Sequence, residues 1–159
     1  MIIRAEDVTA TPWKNGGGLS RELLFRPDAE RWRLRVSLAD ITRDGPFSPY
    51  PGVERWFAVI EGGGVELQFA HHAQLQRPGD APLRFDGADA PACRLLDGRT
   101  RDLNLMLRGL QGKLHRGPTF EGDWPVRGRY DSSMHTLHWE LPAGQQNGPA
   151  DTLWIGVAA

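Results

Sequence analysis

The segment Thr11-Pro12-Trp13-Lys14-Asn15-Gly16-Gly17-Gly18 is the first place in this sequence where residue types suggest chemistry. Three glycines could cradle a phosphate through backbone amides, but the Gly-Lys-Ser/Thr closure of a phosphate-binding loop is missing. A structural account competes: glycines where backbones crowd, with Trp13 as a packing anchor. Lys14 and Asn15, a point-charge donor beside an amide, keep a ligand role open. Arg55 heads the run Arg55-Trp56-Phe57-Ala58-Val59-Ile60, which is otherwise apolar and reads as a largely buried strand. A guanidinium projecting inward from such a strand carries a buried charge that needs a partner. Its fork matches a carboxylate bidentately, and hydroxyls such as Ser48 and Tyr50 can complete the shell. Equally, Arg55 can pair with an internal acid, Glu22 or Asp102, and serve the fold; the two roles are compatible. In Arg101-Asp102-Leu103-Asn104-Leu105-Met106, Asp102 and Asn104 share one strand face and Leu103 and Leu105 the other. The polar face either meets solvent or lines a wet pocket.

Nucleophilic and metal chemistry find less support. Cys93 is the single cysteine, so an intrachain disulfide is ruled out and a small, partly buried apolar role is expected. His71 and His72 are adjacent and would point to opposite faces of a strand. His135 and His138 are three apart, which suits a helix face but not a strand face, and His115 lies in a Gly-rich stretch. Each histidine reads as a surface or locally hydrogen-bonded one.

These residues must be held by strands. Nineteen glycines and twelve prolines punctuate the chain, and no stretch longer than about two helical turns carries apolar residues at helical spacing. Strand patterns recur instead at Trp32–Leu38, Arg55–Ile60, Val65–Phe69, Pro82–Phe85, Ala92–Leu96, Leu103–Leu107, Thr136–Leu141 and Thr152–Val157. Glu61-Gly62-Gly63-Gly64 reads as a hairpin turn between two of them. Gly109–Arg129 reads as a long, strand-poor connection and the only candidate seam. Together these imply one all-β domain, a closed or nearly closed double-sheet barrel. With 19 Lys and Arg against 20 Asp and Glu, evenly spread, the chain lacks the basic footprint of a nucleic-acid binder. No signal-peptide or membrane-length apolar run is visible, so a cytoplasmic protein that binds neither nucleic acid nor membrane is expected.

The stretch Gly45–Gly64 resembles the first sequence motif of cupins, and Arg77-Pro78-Gly79-Asp80 the turn that opens their second. Cupins that bind metal carry histidines and a glutamate there. On this chain those positions fall near Ser48 and Tyr50, on Arg55, and around Ala90–Ala92, so the ligand set is missing. More specifically, four separated motifs resemble the HutD/Ves family: Pro12–Gly18 with Glu22; Trp32-Arg33 with Ser37; Gly45–Ser48 with Tyr50-Pro51-Gly52 and Arg55; and Arg101–Met106. That resemblance implies a bicupin, two fused double-stranded β-helix half-barrels spanning 1–159. It implies ligand-contacting roles for Trp13, Lys14, Asn15, Ser48, Tyr50, Arg55, Asp102 and Asn104. It also implies an association with histidine utilisation, or with stress responses in the Ves branch, and no established enzymatic activity.

The expected function is therefore binding of a small acidic metabolite, of the urocanate, formylglutamate or formate type, without cofactor or metal. The alternative is a metal-free isomerase or epimerase, which needs a facing acid and base drawn from Tyr50, Lys14, Glu22 or Asp102. A partner-binding protein using its six tryptophans, or a homodimer, is also compatible with the sequence. Because a guanidinium has no lone pair to offer a cation, purified protein is expected to hold no stoichiometric transition metal. Elemental analysis finding one metal per chain, resistant to mild chelation, refutes this.

Overall fold

Turns rich in glycine and proline cut the chain into fifteen short strands in the computed structural model, which describes residues 1–158. In chain order these are β1 (Ile2–Arg4), β2 (Thr11–Pro12), β3 (Gly18–Arg26), β4 (Leu34–Ile41), β5 (Gly45–Pro46), β6 (Val53–Gly62), β7 (Val65–Gln68) and β8 (Ala73–Gln76). They continue with β9 (Leu83–Asp86), β10 (Ala92–Leu95), β11 (Thr100–Arg108), β12 (Gln111–Arg116), β13 (Val126–Asp131), β14 (Thr136–Trp139) and β15 (Leu153–Ala158). Among the described residues there is no α-helix, only a 3-10 turn at Ala5–Asp7.

The strands form three antiparallel sheets. The central sheet has the order β2-β3-β4-β11-β6-β9, a second has β5-β10-β7-β8, and a third has β1-β14-β13-β15-β12. The second sheet covers one face of the central sheet. Ile41, Phe57, Val59 and Phe85 from the central sheet meet Val65, Leu67 and Cys93 from the second there. The third sheet covers the opposite face, where Val36, Leu38, Leu103, Leu105 and Leu107 pack on Leu114, Tyr130, Leu137, Leu153 and Ile155. The central sheet is thus buried on both faces, and the expected barrel is a pair of facing sheets: among the described residues no ladder joins one sheet to another.

Two readings of the sequence are corrected. Glu61–Gly64 is not a hairpin, because β6 belongs to the central sheet and β7 to the second. It is a corner where the chain changes sheets, and glycine is required there for steric reasons. Gly62 has φ +100°, and a Cβ on it would lie 2.2 Å from the Arg99 carbonyl oxygen. The Gly64 amide donates to Thr100 Oγ1 at 3.0 Å, tying the corner to the start of β11. Gly109–Arg129 is not strand-poor either. It contains β12 and the start of β13. Leu114 is the one large apolar residue of Gln111–Arg116, so alternation is too faint to see. Gly112 is there because a Cβ would meet the Gly156 carbonyl at 2.9 Å.

At one end of the interface between the central and third sheets lies a cluster of charge. Asp40, 3% exposed, receives hydrogen bonds from Arg99 Nη2 (2.7 Å), Arg101 Nε (2.8 Å) and Arg21 Nη1 (3.3 Å). Burial alone would raise the Asp40 carboxyl. The hydrogen bond and charge of Arg101, with the charges of Arg99 and Arg21, outweigh it and hold the group below its ordinary value. Asp40 therefore stabilises the fold above the unfolded-state value of about 3.9, and that contribution is lost as pH falls through the lower folded value. Asp40→Asn is expected to cost about 2 kcal/mol in chemical denaturation at pH 7, less than a fully buried pair because Arg99 can turn to solvent. The variant should also show a weaker loss of stability between about pH 4 and pH 2 than the wild type. Equal acid sensitivity in both proteins counts against this account.

Candidate functional site

Alternation on the central sheet decides what faces the second sheet. From β4 come Arg35, Ser37 and Ala39; from β11, Asp102, Asn104 and Met106; from β6, Arg55 and Phe57. The ladders bring these into one patch, pairing Asn104 with Ser37 and Phe57, and Met106 with Arg35 and Arg55. Beyond the apolar cluster the two sheets part and leave a cavity of about 490 Å³. All eight residues expected at a site (Trp13, Lys14, Asn15, Ser48, Tyr50, Arg55, Asp102 and Asn104) line it.

They lie at different depths. Arg55, Asp102 and Asn104 form the floor, at 6%, 1% and 5% exposure. Trp13 and Tyr50 are half-buried walls, while Lys14, Asn15 and Ser48 are exposed at the mouth. The Gly-rich loop owes its form to packing. Asn15 Oδ1 accepts from the Gly17 amide at 2.8 Å, so that amide is already used. A Cβ on Gly18 would lie 2.4 Å from the Asp40 carbonyl oxygen. The Trp13 indole donates to Ser20 Oγ at 2.7 Å, and its ring meets Phe47 edge-on. Asn15 Nδ2 donates to the Pro46 carbonyl at 3.3 Å, linking the two loops that frame the mouth.

The floor is a short relay. Arg55 Nη2 donates to Asn104 Oδ1 at 3.0 Å, and Asn104 Nδ2 donates to Asp102 Oδ2 at 3.2 Å. Arg55 Nε and Asp102 Oδ1 are buried with no hydrogen-bond partner among the described residues. The Arg55 guanidinium sits over the rings of Phe85 (5.1 Å), Phe47 (5.2 Å) and Tyr50 (5.7 Å). Burial lowers its pKa to about 10, against the pull of Asp102, so it stays charged at neutral pH. Burial likewise pushes the Asp102 carboxyl well up, only partly offset by Arg55 and Asn104.

A second guanidinium was not singled out from the sequence. Arg35 donates to Glu22 through Nε (2.8 Å) and Nη2 (2.5 Å), and to the Tyr50 hydroxyl through Nη1 (3.2 Å). Burial opposes its charge, but Glu22 more than compensates and raises its pKa. This corrects two expectations: Glu22 belongs to Arg35 and not to Arg55, and the Tyr50 hydroxyl serves Arg35. Ser37, Phe47 and Met106 also line the cavity. The available signal for Arg35 and Ser37 was their alternation against Leu34, Val36 and Leu38, the same pattern that exposed Asp102 and Asn104.

Among the described residues no three His, Cys, Asp or Glu side chains converge, and Arg55, on the floor, has no lone pair to offer a cation. His135 lies in the turn before β14, with φ +46°, where its Nδ1 meets the Tyr130 hydroxyl at 2.9 Å. His138 faces Asp131 at 3.1 Å.

Residues 5–119 match the family model described as HutD. The chain belongs to the HutD family. This HutD-family chain is 37% identical over 110 residues to a Pseudomonas putida protein described as an uncharacterized 21.2 kDa protein in the hutC 3′ region, a match covering 66% of the chain and 56% of the relative. It is 37% identical over 102 residues to Protein Ves of Citrobacter koseri, covering 60% of the chain and 51% of that protein. The chain thus spans about half the length of the curated relatives it matches. Its fold is similar to HutD from Pseudomonas fluorescens SBW25 in a formate condition, with TM-score 0.82 and 24% identity, covering 99% of this chain and 97% of that one. The class is all-β and cupin-like. Among the described residues no helix is long and apolar enough to cross a membrane.

Cys93 lies behind the cavity at 3% exposure. Burial first, then the charges of Asp102 and Asp44, push its thiol up to about 12. At about pH 8 the native thiol should therefore react with a disulfide reagent at roughly a hundredth or less of the rate of the unfolded chain. Equal rates before and after unfolding contradict this placement.

Proposed function

We propose that this HutD-family domain is a metal-free binding protein for a small carboxylate metabolite. The observation that carries the proposal is Arg55: a charged guanidinium, 6% exposed, on the floor of a cavity, with a buried Nε that none of the described residues satisfies. Leaving a buried charged donor unpaired is costly, and a carboxylate is the group whose geometry and charge best repair it. Phe47 and Tyr50, which line the cavity beside it, supply apolar contact for the rest of a small ligand. Lys14, exposed at the mouth, adds attraction for an anion on approach. The hut-region description of the P. putida relative supports a role alongside histidine utilisation. Urocanate, formylglutamate and formate are the first ligands to test, and the proposed setting is the cytoplasm. The isomerase or epimerase alternative has less support: Glu22 is held by Arg35 and Tyr50 accepts from the same guanidinium, which leaves Lys14, exposed at the mouth, and Asp102, buried on the floor, as the remaining acid–base candidates.

A panel of the three carboxylates should raise the wild-type melting temperature. Saturation at about a hundred times Kd corresponds to about 2.7 kcal/mol, a shift of about 5–10 °C for a domain of this size. Arg55→Lys keeps the charge but loses the fork, so the shift should shrink. Arg55→Met should abolish it while leaving the ligand-free protein as stable as before or more so. If Arg55→Met unfolds the protein and no carboxylate shifts the wild type, Arg55 is structural and the proposal fails.

A further inference from the structure

The charges in the cavity do not balance once a carboxylate is added. Arg35 is already neutralised by Glu22 through two hydrogen bonds. Lys14 is exposed at the mouth, far from a dry environment. On the floor there remain one guanidinium, Arg55, and one carboxyl group, Asp102, 1% exposed. Arg55 Nε and Asp102 Oδ1 are both buried on this floor without hydrogen-bond partners among the described residues. Asn104 bridges them through their other ends, holding both groups in fixed orientation.

We propose that a carboxylate bound at Arg55 enters with one proton from solvent, which settles on Asp102. The inference rests on carboxylate binding at Arg55 and deepens it. An ionised ligand would bring a second negative charge beside Asp102 in a recess whose floor, among the described residues, offers the single guanidinium of Arg55 to share. Two carboxylates so placed cannot both stay ionised at low cost, and one of them takes a proton. Asp102 is the one suited to take it, since burial already favours its neutral form. Protonation also converts Oδ1 from an unsatisfied acceptor into a donor able to reach a ligand oxygen. The ligand would then be read by Arg55 on one side and by a neutral acid on the other, with a net charge of zero on the floor.

The remaining groups around Asp102 reinforce this direction. Arg55, on β6, opposes protonation of Asp102, but a bound carboxylate draws on that same charge. Asp40, on the far face of β4, adds further negative potential. Cys93, on β10, is a neutral buried thiol and supplies no charge, and the nearby Asp44 is acidic. Arg35 and Glu22 cancel each other.

The test uses formate as the probe on the intact wild-type chain, since formate is ionised throughout the range from about pH 5 to 8.5. Calorimetric titration in two buffers of different protonation enthalpy counts the protons taken up. The expected result is uptake approaching one proton per formate in the upper part of that range, with affinity falling about tenfold per pH unit there. Asp102→Asn is neutral at every pH, so its formate affinity should be flat where the wild type's falls. Formate binding that is independent of pH in the wild type, with no proton exchanged, overturns the inference and leaves the carboxylate site standing. The same follows if Asp102→Asn retains the wild-type slope. If none of formate, urocanate or formylglutamate binds the wild type at any pH, the carboxylate reading falls and this inference falls with it. Because the proton count needs no variant, an Asp102→Asn protein that does not fold leaves the test intact.

Discussion

Everything in this molecule depends on a sheet covered on both of its faces. Strands β4, β11 and β6 have one sheet on one side and another on the other, so along their middle stretches a polar residue is enclosed whichever way it points, and only toward the strand ends, as at Glu61 and Arg108, does it reach solvent. Elsewhere in proteins an alternating strand sends its polar residues to water at no cost. Here Arg35, Ser37, Arg55, Asp102 and Asn104 are enclosed, and each must find a partner, line a cavity, or be unsatisfied. The cavity is what results when these polar side chains meet a covering sheet that does not reach far enough to fill the gap.

The two faces of the sheet solve the problem of buried charge differently. Toward the third sheet, Asp40 is saturated by three arginines, a closed arrangement in which every carboxylate oxygen is used. Toward the second sheet, Arg35 and Glu22 are likewise closed. Arg55 and Asp102 are the exception, joined through an amide and each left with an unused atom. Unfinished hydrogen bonding in a well-packed β protein is costly, and it tends to persist where something outside the chain completes it.

Much of this was legible in the sequence, for reasons that can be named. Period-two alternation placed Asp102 and Asn104 on one face and Leu103 and Leu105 on the other, and the ladders agree. A charged residue heading the apolar run Arg55–Ile60 marked a buried group before its surroundings were known. What sequence could not supply was pairing. Glu22 was an equally good partner for Arg55 or Arg35 until the β3–β4 register set it opposite Ser37, beside Arg35. The corner at Gly62–Gly64 looked like a hairpin because glycine serves both; which one forms depends on whether Gly62 must approach the Arg99 carbonyl, a contact 37 residues away in the chain. Strand β12 was missed because a strand packed through one large apolar side chain has no period to detect.

The placement of the cavity residues has a further consequence. They run from Thr11 to Met106, whereas the third sheet is built, apart from β1, from residues 111–158 and packs its core on the reverse of the sheet that carries them. The cavity and its buttress thus come from different stretches of chain on opposite sides of one layer. Substitutions in the C-terminal stretch bear on how stiffly the floor is held and leave the residues that line the cavity as they are. The lining of the cavity and the thermal tolerance of such a domain can consequently drift apart over evolutionary time. The strict limit is a one-residue slip of β11, which would exchange its leucines for its acid and amide and ruin both sides together.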